Sequence, residues 1–393
     1  MPGNLNHLPV NWIDGMKISR KHLEETGRYL EERVRDAGAL QMTGYNFGIL
    51  PAEKSMDLSV FCDAGLNIQI ELNSCKAITS EGSRIQILPA DHPLKVVTNF
   101  KDIIARSGLP MAQSHTLLIV LSTNPFRRLP TGEPDMEENP PRHPYTKPEC
   151  RIDLFLADEL NINQLADCLV IGRIAFQQGE LQVQKDFIPA CTVMNSLPSL
   201  TGWYQKFRQA LESWEQYCMK IVQKINSKPP TQQTNVLAGS IQKLSEKMLE
   251  QLVKQKIQYQ WILGKSAPIH LCVSLLENLQ YLQTIQQCFA EKDREEMLNY
   301  IAEWTESQAG TIENQTRRVL QITYSHYDVA QTLGEIFQAY QFCIQIFQKL
   351  SQLEFIGKKK GQGIFVIEQE VKENKPVQPN PVQKPGGRWS PLT

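Results

Sequence analysis

Few side chains in this sequence stand at spacings that could do chemistry. His270 and Cys272 are two apart, and on a helix that spacing sends them to different sides. They read as core or surface residues rather than as joint metal ligands. Gly264-Lys265-Ser266 imitates the end of a phosphate-binding loop, but that loop needs a glycine five positions before the Gly-Lys pair, and Tyr259 stands there. Gly357 to Gly363 has no strand–loop–helix context and no Ser or Thr after its lysines. No G-x-S-x-G elbow and no H-E-x-x-H pair occurs. His22 and His326 lie beside acids where helices open, which points to capping and packing. No catalytic residue, cofactor site or metal site is expected.

Composition narrows the classes further. The 41 basic and 42 acidic residues nearly cancel, so no electrostatic drive toward nucleic acid is expected. The first twenty residues lack the continuous apolar core of an export signal. No run approaches the roughly 18 apolar residues of a membrane span, so direct membrane insertion is not expected. The nine cysteines are scattered and include no C-x-x-C pair. They read as reduced thiols in a cytoplasmic protein.

The elements that position these residues fall into two blocks. Residues 17–41 carry a helix signal. Ile18, His22, Leu23, Tyr29, Leu30 and Val34 lie mainly on one face, with Lys21, Glu24, Glu25, Arg28, Glu31 and Glu32 on the other. Ser19 and Asp14 both qualify as its start. From Tyr45 the period drops to two. Residues 57–61, 66–72 and 84–88 alternate apolar with polar, and residues 116–121, 151–156, 169–176 and 181–183 are further strand candidates. Short strands with regular turns predict a β-sandwich-like domain over residues 1–200. Residues 124–148 hold seven prolines, which predicts an exposed loop through which neither ladder nor helix runs.

From Gly202 the sequence turns helical. Phe207, Leu211, Trp214, Cys218, Ile221 and Ile225 step by four and three, as do Val329, Leu333, Ile336, Tyr340, Cys343, Phe347 and Leu350. Further helices are expected over 237–252, 269–289 and 294–319. The mean step of 3.5 fits helices that wrap around one another, within a subunit or between subunits. The expected fold class is α+β: the β-rich domain, a helical bundle or coiled-coil neck over 201–355, and a short extended tail over 356–393. That tail carries Trp389 and one short strand over 364–367.

Three short segments then carry a resemblance. Val10-Asn11-Trp12-Ile13-Asp14-Gly15-Met16 followed by His22-Leu23, Asp186-Phe187-Ile188-Pro189, and Tyr324-Ser325-His326-Tyr327-Asp328 together resemble the TssK (VasE/ImpJ) family, baseplate subunits of bacterial type VI secretion systems. The resemblance implies a non-enzymatic adaptor that trimerises through its helical neck. It implies a shoulder that meets the wedge proteins TssF and TssG, and a link to the membrane-complex proteins at the inner face of the envelope. About forty residues follow Leu350; a full C-terminal head does not fit there, so a divergent member is expected. On this basis Trp12, Asp14, Gly15 and Met16 are the expected wedge or shoulder contact, unless Trp12 plugs the chain's own β-domain. Phe207, Leu211, Trp214, Ile221, Leu333, Ile336, Tyr340 and Phe347 are the expected neck seam. A phage-type tail or receptor-binding protein of the same architecture is the second reading, and an enzyme with an unrecognised site the third.

Overall fold

A computed structural model describes residues 5–160, 167–227, 236–305, 309–354 and 356–357. The strand expected over 364–367 and Trp389 lie outside these residues. The chain opens with α1 (Arg20–Ala39) and continues through β1 (Gly48–Ile49), β2 (Met56–Cys62), β3 (Asn67–Ile78), β4 (Arg84–Ile87), β5 (Leu94–Asn99) and α2 (Phe100–Ser107). Then come β6 (His115–Thr131), β7 (Tyr145–Leu156), β8 (Cys168–Gln177) and β9 (Glu180–Val183). Six helices follow: α3 (Pro198–Asn226), α4 (Val236–Trp261), α5 (Pro268–Gln287), α6 (Glu291–Thr305), α7 (Ala309–Leu320) and α8 (Val329–Gln352).

Two antiparallel sheets share one core. In the first, β3 is the hub with which β1, β2, β4 and β5 all pair. The second has the order β7-β6-β8-β9. Period-two alternation puts Ile68, Ile70 and Leu72 of β3 opposite Leu117, Ile119 and Leu121 of β6 in the same buried cluster. The sheets approach closely at Gly172, where a Cβ would stand 2.9 Å from Ile119 Cδ1 and 3.4 Å from Leu58 Cδ2 of the opposite sheet. The Phe100 ring of α2 lies 4.4 Å from that of Phe176, closing one end of the core.

The proline-rich stretch corrects an expectation. Residues 124–148 are not a free loop. β6 and β7 run well into it, and Arg128, Leu129, Pro130 and Thr131 pair with Pro148, Lys147, Thr146 and Tyr145. The prolines are tolerated for a positional reason. β8 pairs with β6 only as far as Ser122, so beyond it β6 has a single neighbour, and β7 is an edge strand. An edge strand has amides that no ladder needs. Pro125 falls in the bulge between Asn124 and Arg128.

The helical domain also departs from expectation. The helix expected over 294–319 is two packed helices, α6 and α7, with residues 306–308 outside the described residues. The 3.5-residue seam is spent inside the chain. Trp214 of α3 sits 5.5 Å from the Tyr340 ring and 5.6 Å from the Phe347 ring of α8. Phe207 lies 5.7 Å from Tyr340. Phe207, Trp214, Ile221, Leu333, Ile336, Tyr340 and Phe347 are all buried in the single chain, and Leu211 is half-buried. Each such ring or branched chain stabilises the bundle by roughly 1.5–3 kcal/mol on burial. None of the seven has surface left for a neighbouring subunit, so the expected neck seam is corrected to an internal one. The Tyr340 hydroxyl donates to Leu275 O (2.8 Å) and accepts from Asn278 Nδ2 (3.0 Å), so its polar end is satisfied in the core. At the far end, Lys224 Nζ of α3 donates to the carbonyls of Ser351 and Leu353, closing the last turn of α8.

Candidate protein-interaction site

Residues 5–16 are held at one point and are largely open elsewhere. The anchor is Glu32, the one buried residue of α1. Its carboxylate accepts the backbone N–H of Asn6 (3.0 Å) and of His7 (2.7 Å). Burial alone would raise this carboxyl, but the two amides and the His7 ring hold it below the usual carboxylate range. The His7 ring in turn stacks 4.5 Å from Phe126. One turn along the helix, Arg35 Nη2 meets Asp167 Oδ2 at 2.8 Å and Arg35 Nε donates to Ser83 Oγ at 2.7 Å. The C-terminal end of α1 presses on Gly82, whose φ of +80° suits glycine and where a Cβ would lie 2.8 Å from Arg35 O.

The two faces of α1 are set opposite to those of an ordinary surface helix. Its specific polar contacts turn inward, and its apolar stripe turns to solvent: Ile18, Leu23, Leu30 and Val34 are all more than half exposed. The helix starts at Ser19, whose backbone is extended and whose N–H donates to His22 Nδ1 (3.3 Å), so Asp14 is not the cap. Asp14 and Gly15 form the preceding turn, with Gly15 at φ +75° and Met16 N–H donating to Ile13 O. Trp12 is 48% exposed, and its ring meets that of His22 edge-on, 6.0 Å away. It does not plug the β-domain. Asp14 and Gly15 are exposed and Met16 half-buried. The four expected contact residues therefore sit together on one outward strap beside the bare face of α1.

The other two motif segments converge elsewhere, in the joint between the domains. His326 Nε2 donates to Phe47 O (2.8 Å), which leaves Nδ1 to accept from the Tyr324 hydroxyl (2.8 Å). Burial pushes His326 down to about 4, against the opposing effect of its Phe47 bond. Asp328 caps α8 by accepting from Gln331 N–H and pairs with Arg173 Nη1 of β8 at 2.7 Å. The Arg173 guanidinium lies 4.8 Å over the Phe187 ring. Phe47 leads into Gly48 and Ile49, which cross the 186–192 segment: Ile49 N–H donates to Ala190 O and Thr192 N–H to Ile49 O. Gly48 has φ +112°, and a Cβ there would stand 2.1 Å from Ala190 O, so only glycine fits.

A second apolar stripe appears on α4, where Val253, Ile257 and Trp261 recur every four residues with Ile262 beside them. Ile257 and Trp261 are about 70% exposed. Among the residues set aside above, His270 is exposed against the Tyr45 ring and Cys272 is buried, its thiol pushed up to about 12. Lys265 lies in a short turn between α4 and α5. Among the described residues no three His, Cys, Asp or Glu side chains group as metal ligands, and no helix is long and apolar enough to cross a membrane.

Sequence could not show the Glu32 anchor, the Arg35–Asp167 pair or the Arg173–Asp328 pair, because each joins residues far apart in the chain. The α4 stripe was there to be read as a four-residue repeat. No family model matches the sequence, and no curated protein matches it. Solved structures do. A crystal structure of TssK is similar over 88% of this chain and 70% of that one, at 15% identity and a TM-score of 0.51. A chain of the baseplate complex from the type VI secretion system is similar over 87% of this chain and all of that one, at 12% identity and a TM-score of 0.50. At these identities the likeness is one of architecture, and the chain has a TssK-like fold.

Proposed function

We propose that this chain is a structural baseplate adaptor of a type VI secretion system, acting in the cytoplasm at the inner face of the envelope. The observation that carries the proposal is the pair of bare apolar stripes on a TssK-like scaffold, one on α1 and one on α4. Exposed apolar surface of this extent marks sites that other chains cover. The strap of Trp12, Asp14, Gly15 and Met16 with the α1 stripe is the surface for wedge proteins of the TssF and TssG kind. The α4 stripe, not the buried α3–α8 seam, is the surface on which three copies meet. Three copies then present three weak wedge sites at once, and avidity supplies what one site lacks. The membrane-complex partner stays an implication of the family resemblance.

Two measurements test the parts separately. Light scattering should give the mass of a trimer for the wild type and of a monomer for Ile257→Glu with Trp261→Glu; a monomeric wild type rejects the trimer. Trp12→Ala should keep the trimer mass and melting temperature while reducing co-purification with wedge proteins at least fivefold. If co-purification is unchanged, the strap is not the wedge contact.

A further inference from the structure

The outer face of the second sheet is covered over only part of its area. Phe187, Tyr327 and Leu160 close it around Leu118, Val120 and Val170. Beyond them, Arg173, Ala175 and Gln177 of β8 and Gln182 of β9 floor an open cleft of about 1020 Å³. Its walls are the turn after β9 and the first turns of α3 and α8, so both domains build it.

The charges in this cleft are unevenly committed. Arg173 is already paired with Asp328. Lys206 is exposed and its ammonium lies 4.6 Å over the Trp203 ring, which steadies it on the wall. Lys185 is exposed and has no ion-pair partner among the described residues, nor has Asp186 beside it. Two cations thus face one acid. The amides of Gln177, Gln182, Gln184 and Gln331 line much of the remainder. Each amide both donates and accepts, which suits the alternating N–H and C=O of a peptide main chain better than a compact anion. The volume is at the upper end of the range, up to about 1,000 Å³, that holds a drug-sized ligand, and it far exceeds an inorganic anion.

We propose that this cleft binds an extended acidic peptide segment of a partner protein, its carboxylates meeting Lys185 and Lys206 and its main chain meeting the glutamine amides. Because floor and wall belong to different domains, an occupied cleft braces the β-domain on the helices next to the Arg173–Asp328 pair.

The test uses the full chain and a fluorescein-labelled ten-residue peptide alternating glutamate with glycine, followed by fluorescence anisotropy. The peptide should bind, more weakly as salt rises, and its lysine counterpart should not. Lys185→Glu with Lys206→Glu should weaken binding at least tenfold, and Lys185→Gln with Lys206→Gln should weaken it less. Lys54→Glu, on an exposed lysine outside the cleft, should leave it unchanged. Far-UV circular dichroism checks that every variant is folded. No binding to the wild type, equal loss in the Lys54 variant, or undiminished binding in the double variants overturns the proposal. Displacement by inorganic pyrophosphate at the same concentration as unlabelled peptide also overturns it, because the cleft would then read charge alone.

Discussion

The joint and the N-terminal strap use opposite chemistry. At the joint, buried polar groups are paired with one another, His326 with Phe47 and Tyr324, Asp328 with Arg173 and the α8 amide, and only Arg173 Nε is left without a hydrogen-bond partner among the described residues. On the strap and α1, apolar groups are exposed, and the polar contacts of Glu31, Glu32 and Arg35 hold the helix down. Buried polar groups are costly when a partner is lost, whereas exposed apolar groups cost little until something covers them. The joint therefore serves the chain's own stability, and the strap contributes little to it, as the proposed role in binding another chain requires.

The sharpest way to break this contrast is at Gly48. Gly48→Ala forces a Cβ onto Ala190 O in a backbone conformation that alanine avoids. We expect a loss of more than about 3 kcal/mol in urea unfolding, or no soluble protein at all. A melting curve like that of the wild type would show that the joint can shift.

Acid should strain the joint next. His326 is held neutral with a pKa of about 4, against 6.5 in the unfolded chain. Between those values the unfolded chain binds more protons than the folded one, so stability falls as pH drops from 6.5 toward 4. The full effect is on the order of 3 kcal/mol. His326→Gln keeps a donor for Phe47 O but cannot titrate there, so its urea midpoint should depend less on pH across that window. Equal slopes in both proteins would remove His326 as the cause.

The smallest expected effect is on α1. Leu23→Glu and Leu30→Glu should each change stability by less than about 0.5 kcal/mol, because both side chains already face water. A loss above about 2 kcal/mol would mean that the stripe packs within its own chain.

The sequence patterns differed in what they disclosed. Alternation located β2, β3 and β4 because each strand covers one face and exposes the other, or nearly so, whereas β8 is buried on both faces and reads as a continuous apolar run. The heptad steps located α3 and α8 but could not say which chain fills the seam, since internal and intersubunit seams bury the same residue types. The α1 stripe was legible, yet its direction was not: burial of Glu32 depends on two backbone amides that no local pattern announces. The prolines of 124–148 misled because their effect depends on which strand edge they occupy, a property of the sheet and not of the segment.

The crossing of Ile49 with the 190–192 segment has a mechanical consequence. The two strands run parallel there, tied by the hydrogen bonds of Ile49 N–H to Ala190 O and of Thr192 N–H to Ile49 O. A pull along these two segments in opposite directions loads both bonds together in shear instead of peeling them one after the other. Rupture under such a load is governed by the height of the unfolding barrier. At this crossing the chain resists sliding better than prying.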